Sequence, residues 1–413
     1  MRVDVHMNSA SKIVTAPCGS SRVARAIQKL TRVTIALTTI TLGSVVLCDS
    51  QSVAANTTPD QATRIYNRIA GVPPPPGVLS NMTATDPLSA ALLATDDPSF
   101  YNNTLRNLAT PWTNRDQSVF APLNDYTATV IGMVRDNKPF NTLLTADLVY
   151  VADSSAGVPA YSPANNNMYQ ALDDQSVDLK AHLVASTQSA LTGVPSAATA
   201  GVMTTRGAAA AFFDKGTNRA MFRFTMMNHL CSDLQTIMDT SRPPDRIRQD
   251  VSRSPGGDSR LFLNNCVGCH SGMDPMAQAF AYYNFDDTTN QIVYTAGQVQ
   301  PKYQINNNNF PQGYVTPDDH WDNRWRNGPN QLLGWSAALT GSGQGAKALG
   351  QELGNSAAFA GCQVQQVFKE VCFRAPSNAA DRNQVSAMIA TFQSNGYSLR
   401  HVFAEAAVYC MGK

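Results

Sequence analysis

Residues 266–270 read Cys-Val-Gly-Cys-His, and no other stretch of the chain limits its fold and chemistry so strongly. Two thiols three positions apart fall on one face of a helical turn. An imidazole follows directly. This spacing lets both sulfurs form thioethers with the two vinyl groups of a haem while the next residue binds the iron and tunes its potential. One covalently attached haem c is therefore expected on Cys266 and Cys269, with His270 as the proximal iron ligand. Zinc would need a second Cys-x-x-Cys or a paired His at finger spacing, and a thioredoxin-like pair would need a βαβ setting. Neither companion is present.

The first 55 residues read as separate from the fold. Arg22, Arg25, Lys29 and Arg32 precede an uncharged run from Val33 to Cys48, and Val53-Ala54-Ala55 ends in small residues. That is the pattern of a secretory signal peptide. The run is shorter than the ~20 apolar residues a spanning helix needs, so cleavage is expected rather than anchoring. Export to the periplasm or cell envelope of a bacterium follows, with haem added outside the cytoplasm. Cleavage leaves 25 of the 31 basic and 28 of the 30 acidic residues. So balanced a charge gives no footprint for nucleic acid or an anionic membrane, and no later stretch is apolar enough to span a bilayer.

Loss of Cys18 and Cys48 with the signal leaves six cysteines, of which Cys231, Cys362, Cys372 and Cys410 are not claimed by haem. In an oxidising compartment an even number suggests two disulfides. Cys362 and Cys372 stand ten residues apart in one expected helix, about 15 Å at 1.5 Å per residue, beyond the roughly 7 Å a bridge allows. In an up-down-up hairpin the first and third helices run parallel, which brings Cys372 to Cys410 and leaves Cys231 for Cys362.

Periodicity makes the chain mainly α. Ala62, Ile65, Tyr66 and Ile69 predict a helix that Gly71 stops; Asp86-Pro87 starts another, and Leu123, Tyr126, Val130 and Met133 stripe a third. Leu148 to Val151 reads as a short strand. A helical run resumes at Asn218, with Phe222, Met226, Leu230, Leu234 and Ile237 on its apolar side. Residues 241–260, with five arginines and several prolines and glycines, read as a solvated surface loop. The aromatics Phe280, Tyr282, Tyr283 and Phe285 are expected to wall the haem pocket, with core packing as the plainer account. Three C-terminal helices follow, the last begun by Ser398 after Gly396. The expected units are the signal (1–55), a helical N-terminal domain (56–200), a haem-binding cytochrome c-like region (201–345) and a C-terminal helical unit (346–413).

The chain resembles the exported single-haem proteins of the planctomycete-type cytochrome c families. The likeness lies in blocks: Arg64 to Gly77, Asp136 to Phe140, Arg206-Gly207, Cys231 and Pro243-Pro244, the run Cys266 to Pro275, Asn284-Phe285-Asp286, and Phe359 to Cys410. It implies the haem role of Cys266, Cys269 and His270, and names no substrate.

A sixth ligand would decide between functions. His320, in an irregular excursion with Trp321 and Trp325, is the candidate distal ligand; Met388 competes, though packing alone explains it, Met273 and Met276 would have to turn sharply to reach the other face, and His182, His229 and His401 read as core or surface residues. The leading expectation is an electron-transfer protein with an unidentified redox partner. A haem enzyme with an open iron, and a surface binding module with a structural haem, are the alternatives.

Overall fold

The structure, a computed structural model, describes residues 56–213, 217–251 and 259–412. The expected export signal lies outside them. The described chain is mainly helical, with three two-stranded antiparallel ribbons.

Helix α1 (Pro59–Ala70) opens on a capping box, in which the Thr58 hydroxyl accepts from Gln61 N and the Gln61 side chain accepts from Thr58 N. Its stripe of Ala62, Ile65, Tyr66 and Ile69 is buried, as the periodicity predicts. Helix α2 (Pro87–Ala94) starts at Asp86, whose carboxylate accepts from two of the orphaned amides of its first turn. Helix α3 (Asp125–Arg135) is buried along almost its whole length. It backs onto the ribbon of β1 (Val149–Ala152) and β2 (Leu183–Ser186), where Val149 pairs with Ser186.

Helix α4 (Arg219–Leu230) is shorter than its apolar stripe predicts. Leu234 and Ile237 keep helical phase but lie beyond its end. Cys231 takes a left-handed conformation, φ 51°, and is bonded to Cys362 with their Cα atoms 5.3 Å apart. A distant cross-link thus fixes where the helix stops.

After α4 the chain reaches α5 (Ser259–Asn265) and α6 (Val267–Ala277), which carry the Cys-x-x-Cys-His run. The ribbon β3 (Tyr283–Asp286) and β4 (Gln291–Tyr294) follows, then β5 (His320–Asp322) and β6 (Ser342–Gln344). Helix α7 (Gly345–Gly354) has no counterpart in the sequence reading, because its three glycines mask the pattern. Helices α8 (Ala357–Cys372), α9 (Ala379–Ser394) and α10 (Leu399–Cys410) are the three expected C-terminal helices, with the Ser398 hydroxyl capping α10. Cys372 and Cys410 are bonded, their Cα atoms 5.5 Å apart. The Cys372–Cys410 bond is the one that hairpin geometry predicts, and Cys231–Cys362 is the pair it leaves.

Residues from Ala54 onward form one compact unit. Helix α10 lies against α1, α2 and α8, so the two ends of the chain share a core. That core runs from Ala62 to Ala407 through all three expected segments. No described helix is long and apolar enough to cross a membrane.

One local expectation is corrected. The arginine-rich stretch is not a solvated loop: Arg248 is fully buried, Arg242 sits 3.1 Å from Asp239, and Arg246 sits 2.8 Å from Asp322. Charge alone suggested solvent, but each of these guanidinium groups has a carboxylate partner. Arg253 and the run from Pro255 to Gly257 lie outside the described residues. The aromatic run packs as ordinary core: Tyr283 stacks on Phe213, and its hydroxyl donates to the Ala198 carbonyl at 2.5 Å.

Candidate haem-attachment site

Backbone hydrogen bonds carry the helix through the motif, since Cys266 N donates to Phe262 O at 2.9 Å and His270 N to Cys266 O at 3.1 Å. Cys266, Cys269 and His270 therefore occupy adjoining positions on one face of the turn. Both thiols are partly buried and free, while every other described cysteine is in a disulfide.

The segment after α4 is clipped onto this turn. Asp239 N donates to Gly268 O at 2.9 Å, the Ser271 hydroxyl donates to Asp239 O at 2.9 Å, and the Cys269 thiol points at Leu234 O, 3.5 Å away. Burial pushes the Cys269 thiol above its usual range, and the nearby Asp233 charge adds to the effect. A thioredoxin-like pair needs the opposite shift, toward thiolate. Among the described residues no three His, Cys, Asp or Glu side chains gather as candidate ligands for a metal ion.

On the motif's flank, Ile247, Val251, Phe262 and Phe310 form a small apolar cluster against Cys266 and Val267. It borders a cavity of about 170 Å³. The Phe262 ring lies 5.7 Å from the His270 ring. Gly272 takes the opposite role of letting a neighbour in: a Cβ built there would lie 2.0 Å from the indole nitrogen of Trp325. Gly272→Ala is therefore expected to cost about 1–3 kcal/mol by overpacking and to shift the tryptophan emission of a fully buried ring, read by urea unfolding and fluorescence.

The His270 imidazole is held from behind. Its Nδ1 is 3.1 Å from Asp274 Oδ2, one turn along α6. Asp274 is fully buried. Burial, the largest single effect, works against its charge, but the Arg219 guanidinium, His270 and Arg248 together outweigh that penalty and hold the carboxyl well below the usual range. As an ionised acceptor it requires a proton on Nδ1, so a neutral His270 would carry its lone pair on Nε2. Arg219 grips both Asp274 oxygens, Nε to Oδ1 at 2.6 Å and Nη2 to Oδ2 at 2.9 Å. Its Nη1 also donates to Asp250, as does its Nη2 at 2.8 Å. Arg248 completes the array, 3.3 Å from Asp250 and stacked 4.2 Å over the Tyr303 ring.

Sequence reasoning missed this array. The His-x-x-x-Asp spacing offers one signal for it, because residues four apart share a helix face; nothing local points to Arg219 or Asp250.

His320 lies on β5, which packs against α6, with a side chain 41% exposed and Nε2 3.4 Å from Asp322. Two residues earlier, Asp318 accepts from Gln278 at 3.2 Å, eight positions or roughly 12 Å of helix beyond His270. Met273, Met276 and Met388 are buried in the main core. His182 sits 3.3 Å from Asp153, and His401 sits 3.5 Å from Glu405.

The donor set suits a c-type haem: two uncommitted thiols on one face, an imidazole tied at Nδ1, and an apolar flank. Compared with protein-family models, with curated proteins and with solved structures, the chain matches none.

Proposed function

We propose that this is an exported, single-haem c-type cytochrome-like protein that passes electrons in the bacterial cell envelope. One observation carries the reading: of the six described cysteines, four are bonded in pairs, and the two left as thiols are those of the Cys-x-x-Cys-His run. In an oxidising compartment, neighbouring thiols that stay apart need another use. Thioether formation supplies one.

When bound, haem c would supply one-electron exchange at its iron. Cys266 and Cys269 would hold it covalently and His270 would offer Nε2 to the metal. Phe262 and its apolar neighbours would keep water from the motif's flank, and Asp274 would keep the His270 proton on Nδ1. Outer-sphere transfer asks for no catalytic acid, base or nucleophile, and the partner would be a one-electron donor or acceptor protein. The likeness to planctomycete-type cytochromes, with a cytochrome c-like segment between helical units, belongs to the same reading.

The test is expression of the full chain with cytochrome c maturation factors, followed by a pyridine haemochrome spectrum and intact mass. One haem per chain is expected. Cys266→Ser together with Cys269→Ser should abolish covalent attachment while leaving the fold intact, as judged by far-UV circular dichroism. A colourless wild-type protein with the mass of its polypeptide alone would overturn the proposal.

A further inference from the structure

We propose that Asp274 is a positioning residue that makes His270 a strongly donating, charge-backed ligand, and that the buried array of Asp274, Arg219, Asp250 and Arg248 thereby sets a low reduction potential. This rests on the haem reading above and adds to it the direction in which the site is tuned.

The geometry is specific. A histidine that binds metal through one nitrogen commonly donates from the other, and the acceptor on that side fixes the tautomer, the ring orientation and the basicity. Here the acceptor is a carboxylate, at 3.1 Å and without solvent exposure. A hydrogen bond to an ionised acceptor is stronger than one to a neutral carbonyl. It passes electron density through the ring toward Nε2, and that density favours the oxidised iron.

The carboxylate is also prevented from turning away. Arg219 holds both of its oxygens in a fork, and Asp250 holds Arg219 from the other side. Asp250 and Arg248 are themselves buried, and Tyr303 covers the Arg248 guanidinium. Burying four charges is costly, and a fold that needed stability alone would do as well with apolar side chains of similar volume. Their place directly behind the one imidazole of the haem motif gives the array a use. The exchange is a one-electron couple, and the proton remains on Nδ1 in both states.

The experiment uses the full chain carrying its haem, with Asp274→Asn, Asp274→Glu and wild type titrated potentiometrically and followed by absorption. Asparagine keeps an acceptor for Nδ1 but removes the charge. It is expected to lower the oxidised-to-reduced ratio at fixed potential about tenfold or more, a rise in midpoint of about 59 mV per tenfold. Glutamate restores the carboxylate and is expected to lie closer to wild type than asparagine does. Because the asparagine variant loses a buried ion pair and could fail to fold, a second measurement needs no substitution. ¹⁵N-histidine NMR of the reduced wild-type protein should show a deshielded, slowly exchanging Nδ1–H on His270. Haem present with the asparagine midpoint changed less than twofold in ratio, or a His270 lacking that protected proton, overturns this proposal while leaving haem attachment standing. A wild-type protein without haem overturns the functional reading instead, and this one with it.

Discussion

Replacing Cys231 and Cys362 together by alanine is expected to lower the unfolding free energy by about 5 kcal/mol, the largest loss any single pair of substitutions should give here. The bond joins residues 131 apart in sequence. Cross-linking removes conformations from the unfolded chain, and the gain rises with the logarithm of the loop closed. The closed loop contains both α5 and α6, so the Cys-x-x-Cys-His run lies wholly within the constrained segment. The Cys372–Cys410 bond, with a separation of 38, should cost about 4 kcal/mol when removed in the same way. Denaturant unfolding of the two double variants ranks them. If the shorter loop proves the costlier to open, loop entropy is not what these bonds contribute.

The same bond explains why part of the fold was legible in the sequence and part was not. Helices with local causes were readable. Thr58 and Gln61 cap α1, Asp86 caps α2, Ser398 caps α10, and the stripes between them are buried on the faces their periodicity assigns. The end of α4 was not readable, because Leu234 and Ile237 continue the period while Cys231 leaves the helix to meet Cys362. No rule of spacing contains that partner.

Burial of charge follows the same division. Arg248 has the composition of a surface loop around it, yet it is enclosed by Asp250 two residues away and Tyr303 more than fifty residues away. At the candidate site, Cys266, Cys269 and His270 could be named from the pentapeptide alone. Asp274 was within reach of a helix-face argument. Arg219 was not, since it arrives from α4 across a tertiary contact between α4 and α6. Local pattern thus located the reactive groups, while packing between distant segments determines how they are held.

Acidification should destabilise the protein through His229. His229 lies on α4, is 1% exposed, and has Nε2 2.5 Å from the Tyr126 hydroxyl, with the Trp112 ring 5.2 Å away and Phe359 behind it. Burial raises the Tyr126 hydroxyl above its usual range, so it stays protonated and shares a neutral hydrogen bond with Nε2. Burial also pushes the imidazole from 6.5 down to about 3. Between those values the unfolded chain binds a proton that the folded chain refuses, so stability falls as pH drops from about 6.5 toward 3 and is unaffected by this group above 6.5. The slope approaches 1.36 kcal/mol per pH unit, for a total of up to about 5 kcal/mol. Other buried acids titrate in part of this window: Glu370 and Glu405 are shifted upward by burial and act in the opposite sense. Comparison with His229→Gln cancels them, because both proteins carry them. Denaturant unfolding near pH 7 and near pH 4.5 should therefore show wild type losing about 2–3 kcal/mol more than the variant. An equal loss in both would mean that the imidazole is protonated in the folded state, and that the enclosure by Tyr126, Trp112 and Phe359 opens to water on the timescale of titration.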